Sequence, residues 1–210
     1  MPVSEILGGI IEWSVASLPR RGEVESGDCS VVKFAGDEVL AAVVDGVGHG
    51  EEALAAARLV ADILQEFSGQ QSLTELMNKC HEKLRGTRGA VASMAILNVS
   101  SSTLTWLGVG NIEGQLLRSE FRFAESSVKV QETLLLRGGV LGHRLPHLIS
   151  TTVSLNYGDL LVFATDGVRP DFAGGIYNSS SIQRMAQSIL DHFALGTDDA
   201  LVLAVRYLHE

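Results

Sequence analysis

Two apolar runs in this chain end on the same dipeptide. Val39-Leu-Ala-Ala-Val-Val44 runs into Asp45-Gly46-Val47-Gly48-His49-Gly50, and Asp159-Leu-Leu-Val-Phe-Ala-Thr165 runs into Asp166-Gly167-Val168. A short apolar run bounded by turn residues reads as a buried strand. Both segments therefore carry a carboxylate to a strand tip and then turn on glycine. Asp-Gly is a common turn dipeptide, and either pair alone is as well explained by a turn. Two further acidic positions share the setting: Asp28 follows Ser26-Gly27 and precedes a strand, and Asp198-Asp199 precedes the last apolar run. Four acidic strand ends in one core make a chance set of turns a poor explanation.

The remaining elements follow from periodicity. Glu12–Leu18, Ser30–Phe34 and Glu38–Val44 read as strands, and after Gly50 the period changes. Leu54, Ala57, Val60, Ala61 and Leu64 fall on one face of a helix predicted from about Glu51 to Phe67. Ser72-Leu-Thr-Glu75 is a capping box that opens a second helix ending near Arg85-Gly86. Ala92–Val99, Thr103–Gly110, Gln115–Arg118, Glu132–Leu136 and Thr151–Leu155 read as strands. Ser181–Phe193 is again helical, and Leu201–Val205 is a closing strand. Runs of strands with helices grouped apart indicate an α+β fold of antiparallel sheets covered by helices, not a parallel βαβ fold. No internal repeat or long linker divides residues 1–210, so one domain is expected.

Charge and composition exclude several classes. With 16 basic and 25 acidic residues the formal charge is −9, which repels a phosphate backbone and argues against a nucleic-acid partner. No apolar run approaches the roughly eighteen residues of a membrane span. Met1–Ile11 lacks the basic start of a signal peptide and carries Glu5. Cys29 and Cys80 form neither a disulfide framework nor a metal-ligand spacing. A cytoplasmic protein is the expectation.

Oxygen donors without a His or Cys cluster suit Mg²⁺ or Mn²⁺, whereas zinc favours nitrogen and sulfur. Rival motifs fail on specific residues. Gly46-x-Gly48 and Gly108-x-Gly110 meet Glu51 and Glu113 where a dinucleotide fingerprint needs glycine or alanine. There is no GxxxxGK[ST], no G-x-S-x-G elbow, no Asp-x-Asp, and no cysteine followed six residues later by arginine.

In combination, Asp45-Gly-Val-Gly-His-Gly50, Gly158-Asp-Leu-Leu-Val-Phe-Ala-Thr-Asp-Gly167 and Asp198-Asp-Ala-Leu-Val-Leu-Ala-Val205 resemble the PPM-type metal-dependent protein phosphatases. The similarity is to their bacterial SpoIIE/RsbU/RsbX branch, and the short length is most similar to the RsbX group, the stressosome phosphatases. Gly110-Asn111 and Leu136-Arg-Gly-Gly-Val-Leu-Gly142 also match segments of that family. The resemblance covers nearly the whole chain. It implies two stacked antiparallel β-sheets flanked by α-helices, and a centre of two Mn²⁺ or Mg²⁺ ions that hydrolyses phosphoserine or phosphothreonine. Carried over by position, Asp45 bridges the ions, the Gly46 carbonyl is a ligand, and Asp166 and Asp198 bind one ion. Asp28 supports the other, through water. Asp199 competes with Asp198 for its place, since strand alternation lets one of them point inward. Asp45 and Asp166 would act catalytically through metal-activated water, with no protein nucleophile.

The resemblance further implies phosphorylated STAS-domain proteins of a stressosome as partners, dephosphorylated to reset the signal. Alternatives are a phosphatase of an anti-anti-sigma factor, a hydrolase of small phosphate esters, and a pseudophosphatase. The last is motivated by Leu201, which stands where the family usually has a threonine that supports hydrogen bonding around the metal. His49 reads as a packing or capping residue before a general acid, and Glu51 and Glu52 as first-turn charges. Arg20 and Arg21 read as a solvated turn that alternatively reaches the phosphate. The remaining histidines, His143 and His147 included, read as surface or loop residues.

Overall fold

The computed structural model describes residues 3–7, 9–119, 131–175 and 181–209. In chain order the elements are β1 (Val3–Leu7), β2 (Ile11–Leu18), β3 (Asp28–Ala35), β4 (Glu38–Gly46), α1 (Glu51–Gln65) and α2 (Leu73–Lys83). There follow β5 (Ala90–Asn98), β6 (Thr103–Val109), β7 (Glu113–Leu117), β8 (Gln131–Thr133), β9 (Leu136–Arg137) and β10 (Thr151–Ser154). The order closes with β11 (Leu160–Ala164), a 3-10 turn (Pro170–Gly175), α3 (Ile182–Phe193) and β12 (Ala200–Tyr207). One sheet runs β1-β2-β12-β11-β7-β8 and the other β10-β6-β5-β4-β3. Their ladders are antiparallel, apart from the short β9, which pairs in parallel with β6.

Side-chain alternation divides the core into three layers. Val39, Ala41 and Val43 of β4 meet Leu161, Phe163, Leu201, Leu203 and Val205 between the two sheets. The other parity of β4, Leu40, Ala42 and Val44, packs against Val60, Leu64, Leu76 and Met77 of α1 and α2. On the far side, Val162, Ala164, Val202 and Ala204 pack against Ile182, Met185, Ala186 and Ile189 of α3. The result is a helix–sheet–sheet–helix stack, the α+β sandwich expected from the resemblance. Strands buried on both faces explain why β4, β11 and β12 read as continuous apolar runs.

The capping box of α2 is formed in both directions. Ser72 Oγ accepts from the Glu75 amide at 3.2 Å, and Glu75 Oε2 accepts from the Ser72 amide at 2.7 Å. One strand expectation needs correction. Residues 132–136 are not one strand but parts of two, β8 in one sheet and β9 in the other. Between them Leu134 is buried in the inter-sheet core, and its amide donates to the Gly114 carbonyl at 2.8 Å. The chain crosses the sandwich there, and apolar alternation alone cannot distinguish a crossing from a continuation. β1 and the 3-10 turn were not foreseen from periodicity.

Candidate active site

The same alternation that builds the core delivers the acids. Asp45 follows Val43 by two, so it shares the inter-sheet parity of β4 and stands at the end of the sandwich. Its Cα partner across the ladder is Asp28, the first residue of β3. Like charges placed directly opposite are destabilising unless something else compensates them. Asp28 is buried, and its Oδ2 accepts a hydrogen bond from Thr165 Oγ1 at 2.8 Å. Thr165 in turn accepts from the Leu201 amide at 2.8 Å. A hydroxyl thus supports Asp28 from the end of β11, and Leu201 contributes its backbone to the relay while its side chain fills the inter-sheet core. Leu201 takes part in this relay through its backbone amide, independently of its side chain.

Asp45, Asp166 and Asp198 line one cavity of about 520 Å³, together with Arg20, His49, Asn111, Gly138 and Gly139. Asp166 Oδ2 accepts from Asn111 Nδ2 at 2.6 Å, which fixes its orientation toward the turn after β6. Asp199 is placed differently. Buried at the start of β12, its Oδ1 accepts from the Arg20 amide at 2.8 Å and its Oδ2 from the Gly27 amide at 2.9 Å. Its carboxylate ties the β2–β3 loop to β12 and holds Arg20 at the cavity. Of the six residues singled out as ligands, three line the cavity, Asp28 and Asp199 lie buried beside it, and Gly46 is buried at the end of β4.

Both glycines after the acids are required by packing. A Cβ on Gly46 would overlap the Ala53 carbonyl of α1, and one on Gly167 would overlap the Asp199 carbonyl. Each Asp-Gly pair therefore combines an acid with a close backbone approach, which locks the acid's strand against its neighbour.

The electrostatics of these acids is unbalanced within the chain. Burial, followed by the charges of Asp28, Asp166, Asp198 and Asp199, pushes the Asp45 carboxyl up to about 8. Burial also raises Asp28 to about 7, opposed by the Thr165 hydrogen bond and reinforced by Asp199, Asp166 and Asp198. Asp166 is raised by burial and then by Asp198, against its bond from Asn111. Among the described residues, none of the five acids is in an ion pair. Buried and half-buried like charges with hard oxygen donors and no ion-pair partner among the described residues fit a divalent cation. No three His, Cys, Asp or Glu side chains among the described residues form a closed ligand cluster. A cation here would take carbonyl and water oxygens as well, as Mg²⁺ habitually does.

The other readings resolve individually. His49 is exposed at the cavity, with Nδ1 3.5 Å from Glu23 Oε1. Glu51 and Glu52 lie in the first turn of α1, and Glu52 pairs with Arg88. His143 is exposed and bonds the Thr87 and Arg88 carbonyls. His81, by contrast, is buried on α2 and accepts from the Gly142 amide at 3.0 Å, which corrects its surface assignment. Asn111 and Thr165 were not singled out from sequence. Both stand in quoted segments, but their partners lie 55 and 137 residues away, so only the fold reveals the contacts. Among the described residues no helix is long and apolar enough to cross a membrane.

Comparison with known proteins agrees with this geometry. The sequence model of the Stage II sporulation protein E (SpoIIE) family matches residues 35–208. Phosphoserine phosphatase RsbX of Bacillus subtilis (strain 168) is 23% identical over 191 residues, covering 90% of this chain and 91% of its own. The crystal structure of RsbX in complex with magnesium superposes with a TM-score of 0.85 at 21% identity, over 99% of this chain and 100% of that one. A chain solved in work on the bacterial stressosome, a modular system adapted to control secondary messenger signalling, matches with a TM-score of 0.83 at 28% identity. It covers 93% of this chain and 99% of its own. The chain belongs to the SpoIIE family and is a PPM-type protein phosphatase domain.

Proposed function

We propose that this chain is a metal-dependent phosphoserine/phosphothreonine phosphatase that acts on phosphorylated STAS-domain proteins of a stressosome. One observation carries the chemical part: three carboxylates from three separate strand ends line one cavity, and none of them is in an ion pair among the described residues. The similarity to RsbX and to a chain from work on the stressosome supports the choice of substrate. The same reading treats residues 1–210 as one catalytic unit.

Two Mn²⁺ or Mg²⁺ ions fit the donor set. Asp45, the Gly46 carbonyl, Asp166 and Asp198 would hold them, with Asp28 in support. When bound, such ions activate a water and neutralise phosphoryl oxygens, so the chemistry requires no protein nucleophile. The chain's own residues do the positioning. Asn111 holds the Asp166 carboxylate, and Thr165 holds that of Asp28. Asp199 is spent on the Arg20 and Gly27 amides, and so keeps Arg20 at the cavity. The Arg20 guanidinium there can meet the dianionic phosphate of a substrate side chain. The Thr165 relay to Asp28 favours an enzyme over a pseudophosphatase.

The test measures phosphate release by the purified chain with Mn²⁺. The substrates are a phosphorylated STAS-domain stressosome protein, a phosphorylated anti-anti-sigma factor and a small aryl phosphate. The expected order places the stressosome protein first, with Asp45→Asn inactive on all three. Release from neither phosphoprotein, or equal release by Asp45→Asn, overturns the reading.

A further inference from the structure

The loop after β9 has an uneven pattern of amide bonding. From Val140 to Arg144 every backbone N–H has a partner within the protein. Val140 and Arg144 donate to each other's carbonyls at 2.9 Å, Leu141 donates to Ala90 at 2.8 Å, and His143 donates to Val140 at 3.2 Å. The Gly142 amide donates to Nδ1 of buried His81 at 3.0 Å. Five consecutive bonded amides fix the loop. The two residues before them, Gly138 and Gly139, have amides with no protein partner among the described residues, and both glycines line the acidic cavity.

The two glycines differ in what the fold demands. A Cβ on Gly139 would stand 2.7 Å from both the Arg144 carbonyl oxygen and Pro146 Cδ, so packing alone accounts for that glycine. Gly138 has no such reason. A Cβ there meets nothing within 4 Å, and its backbone is not in the left-handed region. A glycine that neither packing nor backbone conformation requires, on the wall of an acidic cavity, fits close approach by a ligand. Adjacent unpaired amides on a rigid loop bind anions without any charged side chain.

We propose that Gly138 and Gly139 form the phosphoryl-binding edge of this cavity, their backbone N–H groups donating to oxygens of the substrate's phosphate. The inference rests on the phosphatase reading and adds to it the group that recognises the phosphate ester itself. His81 is a positioning residue in this arrangement, since its Nδ1 anchors the loop through Gly142.

Inorganic phosphate is the probe. In the amide spectrum of the Mg²⁺-loaded protein, phosphate should shift the Gly138 and Gly139 resonances. Gly138→Ala and the larger Gly138→Leu should raise the inhibition constant for phosphate and KM for the phosphoprotein in that order. The alanine effect should be about tenfold, the scale of a charge-assisted hydrogen bond weakened as the added methyl holds the phosphate away from the retained N–H. Melting temperature and Mn²⁺ affinity should not change, because nothing in the fold occupies the added Cβ. His81→Asn, which keeps an acceptor, should preserve KM, whereas His81→Leu should raise it. Unmoved glycine resonances at inhibitory phosphate, or an unchanged inhibition constant in both Gly138 variants, overturn the proposal. If the wild type hydrolyses no phosphoprotein, the phosphatase reading fails, while the phosphate titration still reports on the amide site.

Discussion

Replacing Asp45 with asparagine should stabilise the metal-free protein while abolishing its activity. Asp45 faces Asp28 across the β3–β4 ladder, and burial with four neighbouring carboxylates pushes it up to about 8. In the unfolded chain it titrates near 3.8. The folded protein therefore binds this proton more tightly than the unfolded chain. Stability is lost as pH rises through the window from 3.8 to about 8, and the full cost stands above it. At ~1.4 kcal/mol per pH unit, the window of ~4 units sets a ceiling of ~6 kcal/mol. Water at the open side of the cavity screens part of this, and an expected gain of about 2 kcal/mol remains for Asp45→Asn at about pH 8. For a chain of this length that is a rise of roughly 4–8 °C in Tm. Calorimetry in EDTA should show the difference shrinking by more than half by about pH 5, where the folded wild type already carries the proton. Adding Mn²⁺ should reverse the order, because the wild type gains far more from the cation. Asp45→Asn being the less stable form in EDTA at about pH 8, or a difference that does not grow with pH, would contradict this electrostatic origin.

Two further substitutions probe the supports of the acids. Thr165→Val removes both bonds of the Asp28–Thr165–Leu201 relay and leaves the buried Leu201 amide unpaired; urea unfolding should show a loss of roughly 2–3 kcal/mol, and Thr165→Ser should recover most of it. Gly46→Ala forces a Cβ into the Ala53 carbonyl of α1, so the chain should lose about 3 kcal/mol or more, measured the same way at saturating Mn²⁺.

The parts of the site legible in sequence are those governed by local alternation. Asp45 and Asp166 end apolar runs, so their place at strand tips follows from the runs themselves. The helices were equally legible, because the Ser72–Glu75 box and the apolar face of α3 depend on residues three or four apart. Asp198 and Asp199 show where that logic stops. Counting back from Ala200, which faces α3, gives Asp199 the inward parity of Leu201. Its carboxylate nevertheless goes to the Arg20 and Gly27 amides, partners 179 and 172 residues away, while Asp198 lines the cavity. Asn111 and the Gly138–Gly139 amides were illegible for the same reason. Their significance depends on which strand ends share one end of the sandwich, a property of sheet order rather than of any local pattern.

The acids gathered at this end of the sandwich are proposed to hold divalent cations. Calorimetric titration of Mn²⁺ into the metal-free wild type and Asp45→Asn decides this. About two ions per wild-type chain are expected, with an affinity at least ~100-fold weaker in Asp45→Asn, on the scale of losing a ligand. A wild type that takes up no cation, or an asparagine variant that binds as the wild type does, would contradict it.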